Sequence, residues 1–381
     1  MGSEQPVRTA VRRTKAVLAD GRELFYFDDS EPYASGALTR NLVDTRALPP
    51  ARSSSQLRYD VLTGEWIAVV AERMDRTFLP PADQSPLAPT VPGVRATEIP
   101  ADEYDVVVFE NRFPSLSRLA DSADLPEYVD GEPLWPLRAG TGRCEVVCFT
   151  SDPTATFTSL SPQRVRTVIE AWADRTAELS EMDGVRQVFC FENCGKEIGV
   201  TLTHPHGQIY AYPFLTPKTQ ALITQSRSHF ERTGANLLAD VLAAETRSGR
   251  RMILRGQQWS AYVPSAARWP VEIHLAPHRD VPDLAALTAA ERDELGIVYQ
   301  DLLRRVQRFF DGVAETPYIA AWHQAPIGPD RQFGRLHLQL FSLMRAPGKM
   351  KYLAGSESGM GAWIIDTTPE MIADRLREVA S

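Results

Sequence analysis

The feature that most constrains the fold is an internal repeat, because two parts of the chain carry the same order of strand, helix and strand. The strand-like run 145–149 precedes a helix in the first part, and the run 271–275 does so in the second. Farther along, residues 205–210 align with residues 336–341. Duplication of one such unit predicts two related halves that share an antiparallel-rich sheet with helices packed on it, which is an α+β fold.

The helices of the repeat have clear starting signals. Ser161 can cap a helix that runs to about residue 179, and Pro162 stands where a missing N–H costs little. Thr288 and Glu291 form a capping box at the start of the second helix. A further helix-rich stretch is predicted at 218–246.

Composition excludes several classes of protein. The chain has 381 residues, 43% of them hydrophobic and 24% charged, which is typical of a soluble globular protein with room for two domains. A net charge of −8 argues against a nucleic-acid surface. We find no signal-peptide pattern and no bilayer-spanning apolar run, so we expect no membrane association and a cytoplasmic location.

Other segments give simpler expectations. Residues 1–56 have little apolar periodicity and are interpreted as an arm or cover. Residues 57–70 predict a turn between two strands, and the proline-rich residues 79–101 predict a loop without regular structure. The four cysteines fall in pairs at i, i+4 within strand-like runs; that spacing is about 13 Å, too long to hold one metal, so free core thiols are expected.

The most informative motif is the histidine pair in the stretch 201–210. If the stretch is extended, His204 and His206 point to the same side. Pro205 cannot donate a ladder hydrogen bond, which predicts an edge strand or a strand end. A neutral imidazole has a free lone pair at pH 7 and can attack phosphorus, provided that its other nitrogen is held by an acceptor.

The residues after the histidines support phosphoryl transfer. We expect Gly207 to remove a side chain beside the attacked phosphate, and the amide of Gln208 to donate to a phosphoryl oxygen. An isolated His-X-His would more often be a pair of core histidines. The run of five defined residues, 204–208, is a far more specific sign of an active site than an isolated His-X-His.

This signature resembles the active site of galactose-1-phosphate uridylyltransferases, a branch of the histidine triad superfamily, and the similarity extends from residue 57 to about residue 365. The resemblance implies a half-barrel sheet built from two histidine-triad-like repeats, here 57–217 and 218–381. It also implies that His206 is uridylylated and that only the first repeat is active, since Leu338 replaces the glycine in the second.

The resemblance implies further site residues. Candidate nucleotide and phosphate partners are Arg73, Arg76, Asn111, Arg112, Phe113, Asn193 and Thr201. Candidate partners of the sugar phosphate are Lys351, Tyr352, Gly355 and Glu357, which the family uses partly across a dimer interface. His204 and Gln208 join His206 as candidate catalytic residues.

The metal ligands of the family are largely missing. Of its four zinc ligands only His204 is present, since Ser85, Ala88 and Pro153 stand at the other positions. A second metal site of the family uses a glutamate and three histidines. His323 and His337 match two of them, whereas Gln339 and Leu222 stand at the others. We therefore expect no bound metal and no cofactor.

The leading hypothesis is exchange of UMP between UDP-glucose and galactose 1-phosphate by a ping-pong route through His206. The expected partners are these nucleotide sugars and hexose 1-phosphates, with a homodimer as the assembly. Two alternatives remain: a diverged paralogue that acts on another nucleotide sugar or sugar 1-phosphate, and a nucleotide-binding protein without catalytic activity.

Overall fold

The computed structural model describes residues 10–70, 80–81, 84–120 and 125–380. Within these residues an eleven-stranded sheet is the largest element, and none of the helices is long and apolar enough to cross a lipid bilayer. The strands are β1 (Arg12–Val17), β2 (Glu23–Asp28), β3 (Gln56–Asp60), β4 (Glu65–Val69), β5 (Val106–Glu110), β6 (Leu137–Ala139), β7 (Arg143–Cys148), β8 (Gln187–Cys194), β9 (His206–Tyr212), β10 (Met252–Arg255), β11 (Trp259–Tyr262), β12 (Val271–Pro277), β13 (Tyr318–His323), β14 (His337–Ser342), β15 (Met344–Ala346) and β16 (Lys349–Met350). The helices are α1 (Pro162–Ser180), α2 (Pro217–Thr233), α3 (Leu237–Ser248), α4 (Ala289–Gln307), α5 (Gly355–Met360) and α6 (Pro369–Glu378).

The order of strands in the large sheet repeats about its centre. The order is β1-β2-β5-β7-β9-β8-β13-β14-β12-β11-β10, and each neighbouring pair is antiparallel. From the central pair β8–β13 outward, β9, β7, β5 and β2 on one side match β14, β12, β11 and β10 on the other. The predicted α+β fold, with two related halves sharing one antiparallel sheet, is confirmed.

One face of the sheet is covered by α1 and α4. The core between them contains aromatic side chains from both halves, among them Phe149, Trp172, Tyr299 and Trp322, all at most 2% exposed. Both predicted helix starts are confirmed, since Ser161 accepts a hydrogen bond from the N–H of residue 164 and Thr288 forms the capping box with Glu291. The two halves are therefore joined by one continuous hydrophobic core.

Several segments pack on the opposite face of the sheet. On the first half, the small sheet β4-β3-β6 places Leu57 and Trp66 against Cys144 and Tyr210. On the second half, Leu242 of α3 packs on the last strands. Between them, β8 and β9 keep outward side chains partly exposed, whereas the side chains of β14 are buried. The histidine motif lies at the start of β9, on this more open face.

The interpretation of residues 1–56 as an arm is wrong for residues 12–28. These residues form β1 and β2, and β2 pairs with β5, so the segment extends the main sheet. The run Leu24–Phe27 is buried on both of its faces, and therefore it lacks the alternation that would have identified it as a strand. The predicted β3–β4 hairpin and the predicted free cysteines are confirmed.

Candidate active site

The histidine motif lies at the beginning of β9, in the middle of the first half. Successive residues of β9 alternate in burial: His206, Gln208 and Tyr210 are half-buried on the open face, while Ile209 and Ala211 enter the core. Pro205 directly precedes the strand, so the predicted strand end is confirmed. The alternative of an edge strand is wrong, because β9 pairs with both β7 and β8.

Gly207 has a different role from the one predicted. It is buried on the core side of β9, away from the face of His206. A Cβ atom at this position would lie 3.0 Å from Cζ of Phe149 and 3.0 Å from the carbonyl oxygen of Phe191. The absence of a side chain therefore lets β9 pack closely on the core, and does not open space for a phosphate.

The ring of His206 is held in one tautomer. Its Nδ1 lies 2.7 Å from the carbonyl oxygen of His204. A carbonyl oxygen can only accept a hydrogen bond, so Nδ1 carries the proton and Nε2 keeps its lone pair. Burial lowers the pKa of His206, which keeps the imidazole neutral. This is the form of histidine that can attack phosphorus.

His204 is not a second nucleophile, because its ring is buried. It is 1% exposed, and its Nε2 lies 2.8 Å from the carbonyl oxygen of Thr150 and 2.9 Å from the hydroxyl of Tyr104. Burial lowers the pKa of His204 to about 4, so its ring is neutral with the proton on Nε2. The geometry gives His204 a supporting role, since its backbone carbonyl orients His206.

The neighbours of His206 on the open face come from β7 and β8. Cys148 pairs with His206, and Phe191 pairs with Gln208. Asn193 follows Glu192, which pairs with Gly207, so Asn193 lies near the end of β8 that is closest to the histidine motif. The side-chain amides of Gln208 and Asn193 are half-buried and bond to no residue in the described ranges. Both are free to donate to a substrate.

The segment after β5 lies farther along the same face. The N–H of Asn111 donates to the carbonyl oxygen of Cys144, which pairs with Tyr210, about 13 Å along β9 from His206. Arg112 and Phe113 line a cavity together with Arg52. The structure thus places these candidate nucleotide-binding residues beyond the end of the motif, two strands away from β9 in the sheet.

The structure describes some of the other candidate phosphate-binding residues but not all of them. Thr201 is half-buried in the loop before the motif. Arg73 and Arg76 lie outside the described residues. Arg112 is largely exposed and pairs with Glu98 at 3.5 Å.

The candidate sugar-phosphate residues form a compact loop. Lys351 is 1% exposed, and its ammonium group bonds to Glu357 at 2.7 Å and to the carbonyl oxygens of residues 268 and 364. All three donors of Lys351 are therefore used, and a phosphate contact would require it to leave these partners. Tyr352 is 76% exposed, and Gly355 begins the short helix α5.

The residues at the family's zinc positions do not fit a zinc ion. The hydroxyl of Ser85 accepts from the N–H of Leu87, and Ala88 and Pro153 carry no ligand atom. Nδ1 of His204 is buried without a partner among the described residues, but it would be a single ligand where structural zinc needs about four. Over the described parts of the chain, no group of three His, Cys, Asp or Glu side chains could hold a metal ion.

The second-half cluster, defined as Lys218, Glu272, His274, His323, His337 and Gln339, lies on the same face. The rings of His323 and His337 stack at 4.9 Å, and Gln339 donates to Glu272 at 2.7 Å. The ammonium group of Lys218 bonds to the amide oxygen of Gln339, so a cation of the protein already occupies the centre of the cluster. Burial lowers the pKa of His337 to about 3. This cluster does not fit a metal either.

Sequence reasoning missed two residues that shape the site. Tyr104 contacts His204 from a loop, and Lys218 is the side chain of α2 that reaches the second-half cluster. A lone tyrosine before a buried strand carries no recognisable signal. Lys218 could have been suspected from its place beside Pro217 at the start of a predicted helix.

Comparison with known proteins places the chain in one family over most of its length. The model of the galactose-1-phosphate uridyl transferase N-terminal domain matches residues 46–216, and that of the C-terminal domain matches residues 222–381.

Relatives and solved structures agree with this match. The chain is 44% identical over 378 residues to the galactose-1-phosphate uridylyltransferase of Streptomyces lividans, covering 97% of this chain and 98% of the relative. It is 35% identical to the enzyme of the same name from Thermotoga maritima, covering 85% of this chain and 98% of that one. A solved uridylyltransferase structure superimposes with a TM-score of 0.74 at 29% identity, covering 85% of this chain and 98% of the other.

Proposed function

Because the chain belongs to the galactose-1-phosphate uridylyltransferase family, we propose that it exchanges UMP between UDP-glucose and galactose 1-phosphate through a covalent intermediate on His206. The observation that carries this proposal is the hydrogen bond from Nδ1 of His206 to the carbonyl oxygen of His204. It leaves Nε2 as a neutral nucleophile on the open face of the sheet.

In the first half-reaction, Nε2 of His206 attacks the α-phosphorus of UDP-glucose and forms an N–P bond. The bond between that phosphorus and the bridging oxygen breaks, and glucose 1-phosphate leaves with the electron pair. The leaving group is a phosphate, which is stable as an anion at neutral pH. The step therefore needs no general acid, in keeping with the neutral, buried ring of His204.

In the second half-reaction, a phosphate oxygen of galactose 1-phosphate attacks the same phosphorus. The N–P bond breaks, the electron pair returns to Nε2, and UDP-galactose is released. The amide of Gln208 donates to the phosphoryl oxygens in both steps, where negative charge develops. Asn193, near the same end of β8, would donate to the same group.

The proposal assigns the remaining candidate residues to binding. Asn111, Arg112 and Phe113 would hold the uridine, Arg73, Arg76 and Thr201 its phosphates, and the loop 351–357 the hexose phosphate. We also propose that the protein is cytoplasmic and forms a homodimer. Sedimentation of the purified protein at several concentrations would test the homodimer.

The test of function is an exchange assay with purified protein. Labelled galactose 1-phosphate should enter UDP-galactose when UDP-glucose is supplied, and ADP-glucose or GDP-glucose should support much slower exchange. The variant His206→Ala should show no exchange. Faster exchange with ADP-glucose would overturn the choice of nucleotide, and no exchange with any nucleotide sugar would overturn the proposed function itself.

A further inference from the structure

The hydroxyl of Tyr104 connects three segments that meet behind the nucleophile. It donates to the carbonyl oxygen of Leu87 at 2.7 Å and lies 2.9 Å from Nε2 of His204. The same Nε2 lies 2.8 Å from the carbonyl oxygen of Thr150. One phenol and one imidazole thus join the loop before β5, the end of β7 and the residue two positions before His206.

Proton positions in this connection are fixed by its acceptors. The carbonyl oxygen of Thr150 can only accept, so Nε2 of His204 carries a proton. The single hydroxyl proton of Tyr104 points to the carbonyl oxygen of Leu87, so its oxygen acts as an acceptor toward His204. The one N–H at Nε2 of His204 is therefore shared between this oxygen and the carbonyl oxygen of Thr150. Burial raises the pKa of Tyr104 well above its usual range, so the phenol stays protonated. The ring of His204 is thus held at Nε2 by two acceptors, while its Nδ1 has no partner among the described residues.

The tyrosine is presented from a fixed position. Its side chain is 1% exposed and packs in a cluster with Leu87 and Cys148. The next residue, Asp105, accepts from the N–H groups of residues 29 and 30, each at 2.8 Å, and pairs with Arg164. A hydroxyl held this firmly can orient the group that it contacts.

We propose that Tyr104 is a positioning residue for the nucleophile. Its hydroxyl fixes the ring of His204, the backbone of His204 then presents its carbonyl oxygen to Nδ1 of His206, and this contact keeps Nε2 of His206 free to attack. Tyr104 touches neither the substrate nor the reacting atoms. The segments that it joins are those that contain Ser85, Ala88 and Pro153, where the residues do not fit a zinc ion. There, the hydrogen-bonded phenol of Tyr104 holds the segments together.

The first test compares two tyrosines that differ in their hydrogen bonds. Tyr104→Phe removes the connection and keeps the ring. Tyr26→Phe is the matched control, because Tyr26 is buried in the same cluster and its hydroxyl has no partner in the described residues. We expect Tyr104→Phe to lower the single-turnover rate of uridylylation by about 10- to 100-fold, with an unchanged KM for UDP-glucose. The control should keep the wild-type rate.

A second readout follows the tautomer of His206 by nitrogen NMR of histidine-labelled protein. Wild type and Tyr26→Phe should show His206 protonated at Nδ1, whereas Tyr104→Phe should show a mixture of tautomers. A full rate in Tyr104→Phe, or a reduced rate with an unchanged tautomer, would overturn the inference. The rate readout depends on the proposed function, but the tautomer readout does not, so the two ideas can fail separately.

A pair of variants at His204 decides the question if Tyr104→Phe does not fold. The side-chain amide of His204→Gln can donate as Nε2 does, whereas His204→Leu cannot. We expect the glutamine variant to keep at least about tenfold more activity than the leucine variant, in line with the loss of one supporting hydrogen bond. Equal activities of the two variants would contradict the positioning role.

Discussion

Substitution of Gly207 by alanine tests whether the tight packing behind β9 controls the position of the nucleophile. The new Cβ would lie 3.0 Å from Cζ of Phe149 and 3.0 Å from the carbonyl oxygen of Phe191, about 0.5 Å or more inside the optimal contact distance. The ring of Phe149 cannot easily yield, because it is fully buried and makes edge contacts with Phe157 and Trp172 at 5.2 and 6.1 Å. The strand itself must therefore move.

Two effects of known size follow from this overlap. Overpacking of a rigid core costs about 1–3 kcal/mol, so the free energy of unfolding of Gly207→Ala should fall by that amount. A shift of His206 by a fraction of an ångström to about 1 Å should lower the rate of uridylylation by about 10- to 100-fold.

Urea unfolding and single-turnover kinetics measure the two effects separately. Gly359→Ala is the control, because Gly359 is exposed in α5 and a Cβ there would meet no atom within 4 Å. That variant should keep both its stability and its rate. Wild-type stability together with a wild-type rate in Gly207→Ala would refute the reasoning.

Three further predictions concern the chemistry of the site. Gln208→Ala should lower the transfer rate by about 100-fold or more, because an oriented donor at developing charge is lost, while urea unfolding stays unchanged; an unchanged rate would remove Gln208 from the mechanism. The first half-reaction should keep its rate as the pH falls from about 8 to the ordinary histidine pKa of about 6.5, because burial lowers the pKa of His206 and the neutral form persists; a decline centred above about 6.5 would contradict this. Elemental analysis should find well under one zinc per chain, and chelator treatment should change neither the melting temperature nor the rate; stoichiometric zinc near His204 would refute this expectation.

The sequence was sufficient to predict the arrangement of the two halves. The repeat, the caps at Ser161 and Thr288 and the alternation within β9 depend on local patterns, and the structure contains all of them. The strand β2 could not be recognised, because a strand buried on both faces loses its period of two. Its neighbours β1 and β5 are distant in sequence or weakly patterned, so only the assembled sheet reveals it.

Within the site, the sequence predicted which residues are important more accurately than it predicted their structural roles. Gly207 was correctly singled out, but its tight contacts are with Phe149 and Phe191, which lie 58 and 16 residues away in sequence. The same limit applies to Tyr104 and Lys351. Their roles depend on partners brought near by the fold, namely His204 and Glu357, and no local pattern announces such contacts.

Intact-mass measurement after incubation with UDP-glucose alone decides whether His206 carries the uridylyl group. The wild-type chain should gain the mass of one uridylyl group, acid should remove this group, and galactose 1-phosphate should discharge it as UDP-galactose. Peptide mapping should place the adduct on His206, and His206→Ala should gain no mass. An adduct on another residue, or full transferase activity in His206→Ala, would show that His206 is not the nucleophile.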